Sequence, residues 1–109
     1  MPESVAEVFE MMAGRVNKDK IQGMTATYQF NITGEGGGSW HVIIADGDAK
    51  VSEGVAESPS ITITASAEDW LNIVSGKLNG QTAFLTGKLK IQGDMSLAMK
   101  LQSVFAFGS

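Results

Sequence analysis

The stretch Met24-Thr25-Ala26-Thr27-Tyr28-Gln29-Phe30-Asn31-Ile32-Thr33 alternates apolar and polar side chains over five consecutive pairs. An alternation with a period of two is typical of a β-strand that has one face against a core and the other face in water. The side that carries Tyr28, Phe30 and Ile32 is therefore predicted to face inward. The opposite, threonine-rich side is predicted to face solvent.

Three further strands are predicted after this stretch, and they span residues 39–46, 50–55 and 60–66. In the first of them Trp40, Val42 and Ile44 continue the inward face, while the second is less regular and is placed at a sheet edge. Asp46-Gly47-Asp48 predicts the tight turn between these two strands, since Asp-Gly tolerates positive φ. The hairpin-length spacing predicts antiparallel neighbours.

Helical periodicity appears at both ends of the chain. Apolar residues at steps of three and four predict a helix over 4–16. After residue 66 the period changes again: Ser66 has the form of an N-cap, and Trp70, Ile73, Val74 and Leu78 fit one helix face that ends near 76–80. A short helix or turn over 81–85, a strand over 88–92 and a helix from Asp94 to Phe105 complete the order. No linker interrupts the 109 residues, which predicts one domain, 1–109.

Composition excludes several classes of function. The net charge of −4 argues against nucleic-acid binding and against electrostatic docking on anionic membranes. The absence of cysteine excludes disulfides, thiol nucleophiles and thiolate metal sites. No apolar run approaches the roughly 18 residues of a membrane span, and the start of the chain lacks the pattern of a secretory signal. A cytoplasmic location is expected.

No residue pattern indicates catalysis, a metal or a cofactor. His41 is the single histidine and is predicted to be a surface or hydrogen-bonded residue. The glycine-rich run 34–38 joins two strands, unlike a phosphate loop, which leads from a strand into a helix. Asp46 and Asp48 lack the ligand frame of a calcium loop, and the adjacent Glu68 and Asp69 fit a helix start. The chain is predicted not to be an enzyme.

The last helix is apolar around more than one face. Met95 and Met99 either complete a core that is filled by the protein's own side chains, or form a flexible wall beside a cavity that accepts varied apolar ligands. Periodicity does not separate these two interpretations.

A family resemblance covers nearly the whole chain and is most specific over 76–102. Its elements are Gly-Lys-Leu at 76–78, Ala-Phe at 83–84, Gly-Lys-Leu-Lys-Ile at 87–91, Gly-Asp at 93–94 and Lys-Leu-Gln at 100–102. This order closely resembles the signature region of the sterol carrier protein type 2 family. The resemblance implies an α+β fold in which about five helices cover one face of a five-stranded, mostly antiparallel sheet and enclose an apolar tunnel.

The resemblance also implies which residues form the tunnel wall: inward residues of the first two strands, the short helix, and the helix after Gly93. They are Phe30, Ile32, Trp40, Val42, Ile44, Phe84, Met95, Met99, Gln102 and Phe105. Gln102 is included because it belongs to the Lys-Leu-Gln element. If a coenzyme A head group is bound, Lys77, Lys88, Lys90 or Lys100 is expected to meet its phosphates.

The implied function is non-catalytic intracellular binding and transfer of lipids, namely fatty acids, fatty acyl-CoA or sterol-like molecules. The alternative is an accessory or protein-interaction module that has a filled core and assists a separate lipid-metabolising enzyme. Two features depart from well-known family members: the chain ends Phe107-Gly108-Ser109 rather than in a Ser-Lys-Leu address, and it is acidic. The missing address argues against peroxisomal import, and the acidity argues against transfer by membrane collision. A bacterial or archaeal protein is then plausible, and sterol is not expected as its natural ligand because most prokaryotes make none. The sequence leaves the oligomeric state open.

Overall fold

The computed structural model describes residues 5–16, 18–19 and 21–105, with the side chains at 12–15, 80 and 101–105 outside the description. Its elements follow the predicted order. They are α1 (Val5–Arg15), β1 (Ala26–Thr33), β2 (Gly38–Ala45), β3 (Asp48–Glu53), β4 (Ile61–Ser66), α2 (Ala67–Val74), α3 (Gly80–Leu85), β5 (Leu89–Gly93) and α4 (Met95–Phe105).

The fold is α+β, as expected, with the five strands in the order β3-β2-β1-β4-β5. All neighbouring strands are antiparallel except β1 and β4, which are parallel. Within the described residues four helices are present, one fewer than the resemblance implied. Buried residues of α1, α2, α3 and α4 join the core that lies on the inner face of the sheet.

The neighbours of β4 differ from the prediction. Spacing along the chain suggested that β4 would follow β3 as an antiparallel neighbour, but β4 pairs in parallel with β1 and antiparallel with β5. The seven residues 54–60 between β3 and β4 can span about 23 Å when extended. Three strand spacings amount to only about 14 Å. A loop of hairpin length is thus long enough to cross the sheet, and the alternating Ile61, Ile63 and Ala65 come to lie beside the buried inner face of β1.

An aromatic cluster fills the part of the inner face beneath α1 and α2. The ring of Phe9 in α1 stacks on Trp40 of β2, with centroids 5.0 Å apart and an interplanar angle of 11°. Trp70 of α2 lies 5.2 Å from Phe30 of β1 and 5.8 Å from Phe9. These contacts join both helices to the centre of the sheet, and Phe9, Phe30 and Trp70 are fully buried.

The outer face is partly covered, although its polar side chains predicted full exposure to water. Gln29 of β1 is only 2% exposed, because the crossover segment 54–60 runs along this face. The Ala56 N–H donates to Gln29 Oε1 at 2.7 Å, and Gln29 Nε2 donates to the Trp40 carbonyl at 3.1 Å. His41 Nδ1 lies 3.0 Å from the Gly54 carbonyl. Gln29 and His41 thus attach the crossover segment to the sheet.

Local sequence signals account for the helix boundaries. Ser66 is the N-cap of α2, as predicted, with its hydroxyl accepting from the Asp69 N–H. This helix ends at Val74, so Leu78 is not on its face but lies beyond it, partly buried against the core. Between β5 and α4, Gly93 has φ of 110°, and a Cβ there would lie 2.6 Å from the Ser60 carbonyl oxygen. Glycine is required at this close approach.

Candidate functional site

The inner face of the sheet has two parts that differ in how completely they are covered. The part beneath α1 and α2 is closed: Phe30, Val42 and Ile44 are fully buried, Ile32 is 5% exposed and Trp40 is half-buried. These described side chains pack against one another and against α1 and α2 as part of the hydrophobic core.

The part beside α3 and α4 carries large apolar side chains that remain exposed. Phe84 and Leu85 of α3 are 41% and 81% exposed, and Met95 and Met99 of α4 are 46% and 83% exposed. Both helices contact β5, and α4 also contacts β4. Among the described residues, these four make up the majority of the seven exposed large apolar side chains. We refer to these four side chains as the exposed apolar group, and they are the candidate binding surface.

Both helices are nevertheless attached to the sheet through their inward residues. Ala83 of α3 is fully buried and Leu97 of α4 is 8% exposed. The Tyr28 hydroxyl, rising from the inner face of β1, donates to the Leu97 carbonyl at 2.8 Å. Asn79 caps α3 by accepting from the N–H groups of Gln81 and Thr82. The exposed apolar residues are therefore held on ordered helices.

Two pKa values report the electrostatics where α4 begins. Burial raises the pKa of Tyr28 to about 12, with a further contribution from the negative charge of Asp94. The pKa of Asp94 is lowered, chiefly because its carboxylate accepts hydrogen bonds from the Ser96 hydroxyl at 2.6 Å and the Ser96 N–H at 2.9 Å. Asp94 is thus the ionised cap of α4, and Tyr28 is a neutral donor at pH 7.

The residues predicted from the resemblance separate into three sets. Those from β1 and β2 belong to the closed part of the inner face, whereas Phe84, Met95 and Met99 belong to the exposed apolar group. Gln102 and Phe105 lie in α4, but their side chains are outside the described residues. Sequence reasoning did not name Leu85, which the structure leaves 81% exposed next to Phe84.

The other sequence candidates have structural roles. Asp46 (φ 55°) and Gly47 (φ 76°) form the predicted turn between β2 and β3. The glycine-rich run forms the connection between β1 and β2, in which the Gly37 N–H donates to the Gly34 carbonyl at 3.1 Å. Over the residues that the structure describes, no group of three or more His, Asp or Glu side chains is placed to hold a metal ion. None of the helices described there is long and apolar enough to cross a membrane.

Comparison with known proteins agrees with this architecture. The sequence profile of the SCP-2 sterol transfer family matches residues 8–106. The solution structure of the sterol carrier protein domain 2 of Helicoverpa armigera is 35% identical, with a TM-score of 0.77 over 94% of this chain and 87% of that one. That of palmitated SCP2L2 from Aedes aegypti is 29% identical, with a TM-score of 0.71 over 92% of each chain.

A curated relative shows that the same domain also occurs within a longer protein. Hydroxysteroid dehydrogenase-like protein 2 of Bos taurus is 32% identical over 102 residues, which are 93% of this chain and 24% of that protein. The chain thus spans about a quarter of the length of this relative. Because the family profile covers nearly the whole sequence and the fold agrees, this chain belongs to the SCP-2 sterol transfer family.

Proposed function

We propose that this chain binds and transfers lipids without chemical change, and that the alkyl part of the ligand lies against the exposed apolar side chains of α3 and α4. The observation that carries this proposal is the exposed apolar group Phe84, Leu85, Met95 and Met99 on two helices that cover the β5 side of the inner face. A ligand tail that covers these side chains removes them from water together with its own apolar surface.

The residue types suit a ligand of variable outline. Methionine is unbranched and flexible, so Met95 and Met99 can adapt to chains of different shape. Burial of about 300 Å² of ligand surface at roughly 25 cal/mol per Å² contributes about 7 kcal/mol before the cost of association. A dissociation constant of 1 μM requires about 8 kcal/mol after that cost, so the protein side chains that leave water on binding must contribute the remainder.

The ligand class that we favour is a long-chain fatty acid or its derivatives, including fatty acyl-CoA, with sterol-like molecules as further candidates. Membership of the SCP-2 family supports a lipid ligand. The relative from Aedes aegypti was solved in a palmitated form, which supports a chain of that kind here. We propose no catalysis by this domain, and His41 serves instead to hold the crossover segment through Gly54.

Equilibrium displacement of a fluorescent fatty acid tests the proposal. The double variant Leu85→Gln/Met99→Gln is expected to weaken binding at least about tenfold, since each substitution removes roughly 1 kcal/mol of apolar contact. Val55→Gln is the matched control, because Val55 is 72% exposed but lies on the crossover segment along the other face of the sheet. Equal affinity of all three proteins would refute the proposed location. Absence of saturable binding to the wild type would refute lipid binding itself.

The second candidate is an accessory module for a separate lipid-metabolising enzyme. The fully buried aromatic cluster of Phe9, Phe30 and Trp70 favours it, because that part of the interior is filled by the protein itself. The match to one quarter of a hydroxysteroid dehydrogenase-like protein also favours it. Native mass spectrometry of freshly purified protein, followed by lipid extraction, separates the two candidates. Co-purified lipid in stoichiometric amount supports the carrier, and a ligand-free protein supports the module.

A further inference from the structure

A concave surface beyond the C-terminal end of α3 lies at the end of the sheet where β1 and β4 finish and β5 starts. It is a pocket of about 320 Å³. Four of its lining residues carry hydroxyl groups, and they are Thr33, Thr64, Ser66 and Thr86. Its volume corresponds to about ten water molecules, so it accommodates a group larger than a single small ion.

Two lysines and one carboxylate complete the polar lining. Lys90 lies opposite Thr64 in the β4–β5 ladder, and Lys88 immediately precedes β5. Asp69, from the first turn of α2, is the acidic member. Across the described part of the chain, the structure places no carboxylate oxygen within 4.0 Å of either lysine ammonium group; the ion pair that it shows joins Lys18 and Asp48. Both cations of the pocket are thus available to a ligand.

The charge around this pocket differs from that of the whole chain. Its lining holds two lysines, Lys88 and Lys90, and one carboxylate, Asp69. The lining is therefore net positive by one charge in a chain whose net charge is −4. Opposite charge attracts an anion locally even where the overall charge opposes it, because interactions are screened beyond about 10 Å.

We propose that this pocket binds a phosphate group. A phosphate offers three strong acceptor oxygens and close to two negative charges, which match hydroxyl donors and lysine ammonium groups. The positive end of the α2 dipole adds to this preference, while Asp69 opposes it. The phosphate comes either from free phosphate or from the head group of an amphiphile whose tail lies at Phe84 and Leu85, just before the pocket residue Thr86. The amphiphile source rests on the proposed function, and the phosphate site does not.

The test is a phosphate titration of the isotope-labelled full chain followed by NMR, with ionic strength held constant by NaCl. Saturable shift changes are expected at residues 66–69 and 86–90. Lys88→Gln/Lys90→Gln is expected to weaken phosphate binding about tenfold. Asp69→Asn is expected to tighten it severalfold by removing the opposing charge. The control Lys18→Gln/Lys50→Gln removes the same charge at the opposite edge of the sheet, since Lys50 lies in β3 and Lys18, between α1 and β1, pairs with Asp48 of β3; it is expected to leave the affinity unchanged.

Two results would overturn the proposal: no saturable shift at the pocket, or equal weakening by both double variants, which would indicate general charge attraction only. A second titration compares octyl phosphate with inorganic phosphate. Tighter binding of octyl phosphate, with shift changes that extend to Phe84 and Leu85, supports the amphiphile source; equal affinity supports free phosphate. Failure of the phosphate site leaves displacement of the fluorescent fatty acid unaffected, so the two proposals fail separately.

Discussion

Replacing Gln29 with methionine tests how the crossover segment 54–60 is held on the outer face of the sheet. The two side chains have similar length and volume, so Gln29→Met fills the same space and removes only polar groups. The substitution removes the acceptor of the Ala56 N–H, at 2.7 Å, and the donors to the Trp40 carbonyl and Asn31 Oδ1, both at 3.1 Å. Because Gln29 is 2% exposed, water cannot replace these partners without opening the segment.

The expected loss of unfolding free energy is about 2–3 kcal/mol. A buried N–H that is left without an acceptor costs roughly 1–3 kcal/mol, and the donor contacts of Nε2 contribute about 1 kcal/mol more. Burial of the apolar methionine side chain offsets part of this loss. For a domain of this size, the loss corresponds to a fall in melting temperature of about 10 °C or more.

Chemical denaturation monitored by circular dichroism measures the difference, and hydrogen exchange of the Ala56 N–H locates it. Gln92→Met is the matched control: Gln92 lies on the same outer face, in the edge strand β5, and is exposed. The control is expected to change stability by less than about 0.5 kcal/mol. If Gln29→Met were no more destabilising than the control, the crossover segment would not depend on this amide.

Two predictions concern the attachment of α4. Tyr28→Phe removes the donor to the Leu97 carbonyl and is expected to cost about 1 kcal/mol at pH 7 in denaturant unfolding. Burial raises the pKa of Tyr28 to about 12, whereas an unfolded tyrosine titrates near 10. The unfolding free energy of the wild type should therefore fall as the pH rises from about 10 to 12, and Tyr28→Phe should not show this decrease. Tyr28 is the sole tyrosine, so a tyrosinate absorbance midpoint near pH 10 in the folded protein would contradict this. Asp94→Ala removes the cap that binds Ser96 and should lower the melting temperature at pH 7, while Asp94→Asn, which retains an acceptor, should lower it less. Because folding lowers the pKa of Asp94, the ionised carboxylate stabilises the folded protein above about pH 4, and this stabilisation is lost as the pH falls further. A difference in melting temperature between wild type and Asp94→Asn that persists at pH 2 would argue against this.

Much of this fold could be read from local patterns. The alternation of Tyr28, Phe30 and Ile32 predicted the central strand, and Ser66 predicted the start of α2. The element order followed from the change between periods of two and of three to four residues. These features depend on neighbours within a few residues along the chain, which is why the sequence alone is sufficient for them.

The candidate site was predicted less completely. Phe84, Met95 and Met99 were named from the family resemblance, and the structure leaves them exposed. Leu85, the most exposed residue of α3, was missed because nothing in a six-residue helix distinguishes an apolar side chain at a binding surface from one in the core.

Three features were decided only by tertiary structure: the parallel pairing of β1 with β4, the burial of Gln29 on the polar face of its strand, and the difference between the closed and exposed parts of the inner face. Periodicity states which side of an element is apolar, but not which other element lies against that side. That depends on the path of the connecting segments through space, and here the seven residues between Glu53 and Ile61 cross the sheet rather than turn back. The same path covers Gln29 and sets the edge at which β5, α3 and α4 assemble.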